Sequence, residues 1–201
     1  MPTTYAHYKF GKEVLSALPR PLQNSIEAHR ELFDIGLHGP DILFYYNALK
    51  KDPVNEQGHT LHEQFADEFF HHAVEVIEKA KDPAAARAYI YGFICHFALD
   101  SECHPYVEKI MQVGRVSHNE IEMELDRMML TEDYHDPLRY LTAKHIQPKM
   151  EYAEVIAPFF KDVTAEQIYK ALKGMVFYHK LFLAPTSGKR KALFLGMKAV
   201  G

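Results

Sequence analysis

Apolar residues recur along this chain at helical spacing, with no run that alternates at period two. Over 57–79, Leu61, Phe65, Phe69, Ala73 and Ile77 stand four apart, which predicts one long amphipathic helix. The segment 83–103 is apolar nearly all round, the pattern of a central buried helix. Asp82 and Pro83 supply its cap and first-turn proline. Ser117-x-x-Glu120 reads as a capping box that opens a helix running to about Leu130. Shorter patterns predict helices over 12–18, stopped by Pro19 and Pro21, and over 22–33, 42–49, 136–146, 148–160 and 164–183. The turn at 36–40 and loops at 51–55 and 111–116 separate them, and the basic tail 185–201 has room for one more helix. The expected fold is all-α, one domain over 1–201, with eight or nine helices.

Composition adds constraints. The chain has 201 residues, 47% hydrophobic and 25% charged, enough for a sizeable core. Its formal net charge is −4 with no basic tract, which argues against nucleic-acid binding through a cationic surface. The N-terminus, MPTTYAHYKF, lacks the apolar run of a signal peptide. The longest apolar stretch, 84–99, is interrupted by Arg87 and is short for a bilayer span. Cys95 and Cys103, if on one helix, lie about 12 Å apart, beyond the roughly 7 Å reach of a disulfide. The expectation is a cytoplasmic protein with free thiols and no membrane span.

The candidate chemistry is metal binding. His96-x3-Asp100-x3-His104 and His118-x3-Glu122-x3-Asp126 each place nitrogen and oxygen donors four apart, on one helix face. Asp100 sits among Phe97, Ala98 and Leu99, where an isolated carboxylate is costly unless paired or bound to a metal. A single such histidine is more often a satisfied core residue, but two adjacent triads reverse those odds. His7, Asp41 and either His59 or His62 are further candidates. Their plainer readings are a surface histidine, a helix N-cap and a boundary histidine. His71, His72, His135, His145 and His179 have no comparable company.

His7, GLHGPDILFYY (36–46), His62, GFICHFALDSECHPY (92–106) and SHNEIEMELD (117–126) together resemble the zinc-dependent phospholipase C family. That family shares its fold and tri-zinc site with the fungal single-strand nucleases. The resemblance covers residues 5–126; beyond Leu130 only helices are recognisable. It implies two or three zinc ions. One would be held by Asp41, His62, His96 and Asp100, and a second by His104, His118 and Glu122. A third would take His7, a bridging Asp100 and the N-terminal residue, Met1 or, after trimming, Pro2. Five residues span up to roughly 17 Å, enough for that closure. No family role transfers to Asp126, which is either a group orienting a ligand histidine or a solvated acid. Three departures stand out: Met1 or Pro2 stands where secreted members have a processed N-terminal Trp, Asp100 and His104 are closer in sequence than in those members, and Ile42 replaces the aromatic of choline-selective ones.

The implied activity is phosphodiester hydrolysis of a phospholipid or other small phosphodiester, with peripheral membrane contact and water activated at the metal centre. Asp41 would be a ligand or the catalytic base. One alternative keeps the site in a nuclease or nucleotidase, with Tyr45, Tyr46, Phe65 and Phe69 as stacking surfaces. Another is a non-catalytic metal- or lipid-binding module. A di-iron bundle fits less well, because its paired Glu-x-x-His spacing is missing.

Overall fold

The computed structural model of the chain describes residues 4–200, and every regular element among them is helical. Ten α-helices follow in order: α1 Thr4–Ala17, α2 Arg20–Glu27, α3 Arg30–Gly36, α4 Pro53–Glu63 and α5 Asp67–Lys79, then α6 Pro83–Gly114, α7 His118–Glu132, α8 Met150–Ile156, α9 Ala165–Phe182 and α10 Ser187–Val200. Two 3-10 segments, Gly39–Tyr45 and Ala157–Phe159, complete the set. The all-α expectation holds; the extra helices come from two splits.

Helix α6 is the axis, with α1, α3, α5 and α7 packed along it. It separates two apolar clusters. Tyr89 and Phe93 face the larger one with Ile35, Ile42, Phe159 and Leu172. Cys95 faces the smaller one with Leu15, Ile26, Phe33 and Leu37. The α3–α6 crossing is tight because glycines meet there. A Cβ on Gly36 would lie 2.1 Å from the Tyr89 carbonyl oxygen, and one on Gly92 would lie 2.2 Å from that of Phe33. Only hydrogen fits at both positions.

The caps read from the sequence are in place. Asp82 accepts from the amides of Ala84 and Ala85, and Ser117 and Glu120 form the reciprocal box at the start of α7. Other boundaries differ. The helix expected over 57–79 is two. Its first half starts earlier, at Pro53, because Asp52 and Asn55 form a capping box inside the expected loop. It stops at Glu63, and the chain restarts at Asp67. No glycine or proline marks this break. It lets α4 pack on the Gly39–Tyr45 segment while α5 packs on α6, and it turns Phe65 out to 89% exposure. The pattern over 22–33 likewise splits, at Ala28 and His29, into α2 and α3, and 42–49 is 3-10 turn rather than α-helix.

Helix α6 runs eleven residues beyond the expected end at Cys103, passing through Pro105. The proline removes the donor that would reach the Ser101 carbonyl, a loss that a helix of 32 residues sustains. Arg115, at φ 53°, ends it, so most of the expected 111–116 loop is helical. Helix α1 starts at Thr4, well before Lys12. No helix forms over 136–146, where Ala143, His145 and Ile146 are all buried. Residues two apart point to different sides of a helix, so a folded-over chain buries this set and a helix does not. The 148–160 pattern is α8 followed by the short 3-10 segment. Cys95 and Cys103 are free thiols. Among the described residues, no helix is long and apolar enough to cross a membrane.

The α3–α6 crossing gives a direct test. Gly92→Ala should cost about 1–3 kcal/mol by overpacking, read as a lower urea midpoint. Gly188→Ala, with nothing within 4 Å, should change stability by under about 1 kcal/mol.

Candidate metal centre

Four-residue spacing puts His96, Asp100 and His104 on one face of α6, and His118 and Glu122 on one face of α7. Packing then brings other elements to them. Asp100 Oδ1 lies 3.2 Å from His7 Nε2. Its Oδ2 lies 3.3 Å from His96 Nε2 and 3.8 Å from His62 Nε2. His62 Nε2 is also 3.2 Å from Asp41 Oδ1. Three groups of side chains that could hold a metal ion result: His7, His96 and Asp100; Asp41, His62 and His96; His104, His118 and Glu122. These eight residues are the ones marked in the sequence. His7, far from being a surface histidine, is 1% exposed and stacked on His96 at 4.3 Å between ring centroids. His59 does not join them; it is exposed and leans on Phe44.

The members from outside α6 and α7 are positioned by their own surroundings. The first amides of α1 find their acceptor across the molecule: Asp126 accepts from the backbone N–H groups of Tyr5 at 3.0 Å and Ala6 at 2.9 Å. This satisfies donors left open at a helix N-terminus and fixes the turn that carries His7. Asp126 is thus a buried backbone anchor, not a solvated acid. Asp133 accepts from the Tyr5 hydroxyl and from Lys9 on the same helix. Asp41 follows Gly39, whose φ of +47° and contact with His96 both demand glycine; a Cβ there would sit 2.3 Å from the His96 ring. His62 Nδ1 lies 2.6 Å from the Gly58 carbonyl, which only accepts, so Nδ1 donates to it and Nε2 is the ring nitrogen turned toward Asp41 and Asp100.

Electrostatics follow the same pattern. Burial opposes ionisation of Asp100, but the neighbouring His7 and His96 imidazoles outweigh it and hold the carboxyl at about 2. Burial, reinforced by His7, lowers His96 to about 4 and keeps it neutral. Burial also lowers His104. Burial lowers His62 too, but Asp41 outweighs it and the net shift is upward. An ionised Asp100 beside His96 and His104, both disfavoured as cations, is a pairing that a divalent metal can use.

Orphaned atoms test whether such an ion fits. His7 Nδ1 and Nε2, Asp41 Oδ1, His62 Nε2, both nitrogens of His96, both oxygens of Asp100 and His104 Nε2 are buried without a hydrogen-bond partner. Buried polar atoms are rarely left so, and a cluster of them calls for a shared partner. Two donors on one tetrahedral zinc lie roughly 3.4 Å apart, close to the 3.2 and 3.3 Å separations found here. The residues fit a zinc ion. In the third group His118 Nε2 is 2.7 Å from Glu122 Oε1, a hydrogen bond that metal binding would replace. Met1 and Pro2, the implied terminal donors, lie outside the described residues.

The groups border a cavity of about 190 Å³. Leu61, Phe65, Phe69, Phe93 and Phe97 line it beside His62, His96, Asp100 and His104, and no Lys or Arg does. Sequence reasoning missed the polar residues behind the site. His38 and His145 meet at 2.7 Å, and His145 stacks on Tyr8 at 3.9 Å. Burial keeps both uncharged, His38 well below the usual range and His145 at about 3. His179 lies within hydrogen-bond reach of Thr4, Tyr45 and Thr142. These pairs span up to 175 positions, and only the burial of their neighbours hinted at them.

The family model described as zinc dependent phospholipase C matches residues 6–174. No curated protein and no solved structure gave a match. The family match runs from α1 into α9, well past residue 126 where the motif resemblance stopped. With a match over most of its length and a donor set that fits zinc, the chain belongs to the zinc-dependent phospholipase C family.

Proposed function

We propose that this chain hydrolyses the phosphodiester of a phospholipid at a zinc centre of two or three ions. The carrying observation is that the orphaned donors converge at the wall of an apolar cavity. In this reading Asp41, His62, His96 and Asp100 hold one ion, and His104, His118 and Glu122 hold another. His7 and Asp100 would hold a third. Bound zinc supplies positive charge for the phosphate and acidifies water.

The protein's own groups set the rest. Asp100, the more buried carboxylate, is surrounded by imidazoles and suits a ligand role. Asp41 is less buried, at 16% against 9% side-chain exposure. It is the carboxylate better placed to take a proton from attacking water. Leu61, Phe65 and Phe97 give the substrate's apolar part a surface away from water. A polynucleotide would need cationic side chains to track its backbone. The cavity has none, which supports the lipid over the nuclease reading. Ile42 is fully buried and offers a headgroup nothing. A cytoplasmic location is supported by the two free thiols.

Two measurements test this. His118→Ala should remove about one zinc per chain by elemental analysis and slow phospholipid hydrolysis by ~100-fold or more. Full metal content with unchanged turnover would exclude His118 as a ligand. Phe97→Ala should lower kcat/KM for a long-chain phospholipid about tenfold, as expected for roughly 1.4 kcal/mol of lost apolar contact. It should leave a small water-soluble phosphodiester unaffected. Equal loss on both substrates would reject the apolar subsite.

A further inference from the structure

A second apolar surface begins beside the metal centre and leads away from it. Phe44, whose ring lies 5.6 Å from that of His62, and Met123, next to Glu122, line a groove of about 600 Å³. Tyr178 and Phe182 of α9 form its other wall. At its rim the exposed surface is apolar and, beside Leu49, cationic. Leu49 is 87% exposed, Phe177 58% and Phe182 56%. Lys50, Lys170 and Lys173 border the same hollow as Leu49 and Phe177.

The α9 register explains this arrangement. Ile168, Ala171, Leu172 and Met175 are buried, so Lys170, Lys173 and Phe177 form the opposite, exposed stripe. The Lys170 ammonium donates to Asn47 and lies 4.8 Å from the Tyr46 ring centroid, which ties the stripe to the 47–50 turn. Positive charge is concentrated in this part of the sequence. From Ala165 onward the chain carries seven Lys or Arg and one acid, Glu166, although its formal net charge is −4. The acids nearest the face are engaged or lie at its edge. Asp52 accepts from Asn47, Glu56 pairs with Lys51, and Glu166 stands one turn before Lys170. Lys189, Arg190 and Lys191 open α10, and Lys189 reaches the Lys180 carbonyl.

We propose that this face, formed by the 47–50 turn and the exposed stripe of α9, docks the protein on an anionic lipid bilayer. Leu49 and Phe177 enter the boundary between headgroups and acyl chains, and Lys50, Lys170 and Lys173 lie among lipid phosphates. Charge complementarity selects this occupant. A second copy meeting through the same patch would set lysines against lysines, because a two-fold interface pairs a surface with itself. The inference deepens the phospholipid reading and rests on it. The groove beside Phe44 would connect the bilayer to the metal centre.

Vesicle sedimentation of the full chain tests it, with phosphatidylcholine alone and with phosphatidylcholine mixed with phosphatidylserine. Binding is expected on the anionic vesicles only, weakening as salt rises. Lys50→Glu combined with Lys173→Glu, two exposed lysines of the same hollow, should weaken it at least about tenfold. Turnover of a water-soluble phosphodiester and the thermal midpoint should match the unaltered chain. Equal binding to both vesicle types, no binding, or full binding by the double variant would overturn the docking face. So would a dimer, seen by light scattering, that the same substitutions dissociate. Lost vesicle binding with intact turnover would leave the hydrolase reading standing. Intact binding with no turnover would remove that reading alone.

Discussion

The Asp100 carboxylate sets the terms for everything packed around it. It is 7% exposed in the middle of the longest helix, with its oxygens 3.2 to 3.8 Å from the imidazoles of His7, His96 and His62. A buried negative charge without partners is among the costliest features a fold can contain. Here the partners come from three different helices, so the charge requires α1, α4 and α6 to meet at one point. The glycines serve that meeting. Gly36 and Gly92 let α3 lie directly on α6, and Gly39 leaves room for the His96 ring beside Asp41.

A second carboxylate does related work at longer range. Asp126, one turn beyond Glu122, binds the first amides of α1 and so positions His7. Asp133 and His179 hold the same helix through Tyr5 and Thr4. The neutral His38–His145 pair fills the space behind His7 without adding charge. The donor cluster is therefore braced by polar contacts on the side away from the cavity and lined by aromatic rings on the side facing it. This arrangement is what supports the proposed phospholipid substrate, anionic at one point and apolar elsewhere.

Much of this was legible in the chain. The capping boxes, the buried central helix and the four-residue spacing of His96, Asp100, His104, His118 and Glu122 are local features. The family motifs also named His7, Asp41 and His62, and packing places all three in the cluster. The break after Glu63 was not legible, because Leu61, Phe65 and Phe69 keep a faultless helical period across it. Nor was the irregular path over 136–146, where burial of Ala143, His145 and Ile146 outweighs helical propensity.

The sequence by itself determined the register of donors along each helix, since 3.6 residues per turn follows from backbone geometry alone. Tertiary structure decided which donors share Asp100, that His62 rather than His59 turns inward, and that Asp126 anchors α1. Those outcomes depend on which faces bury together across separations of up to 121 positions, and no local period records them.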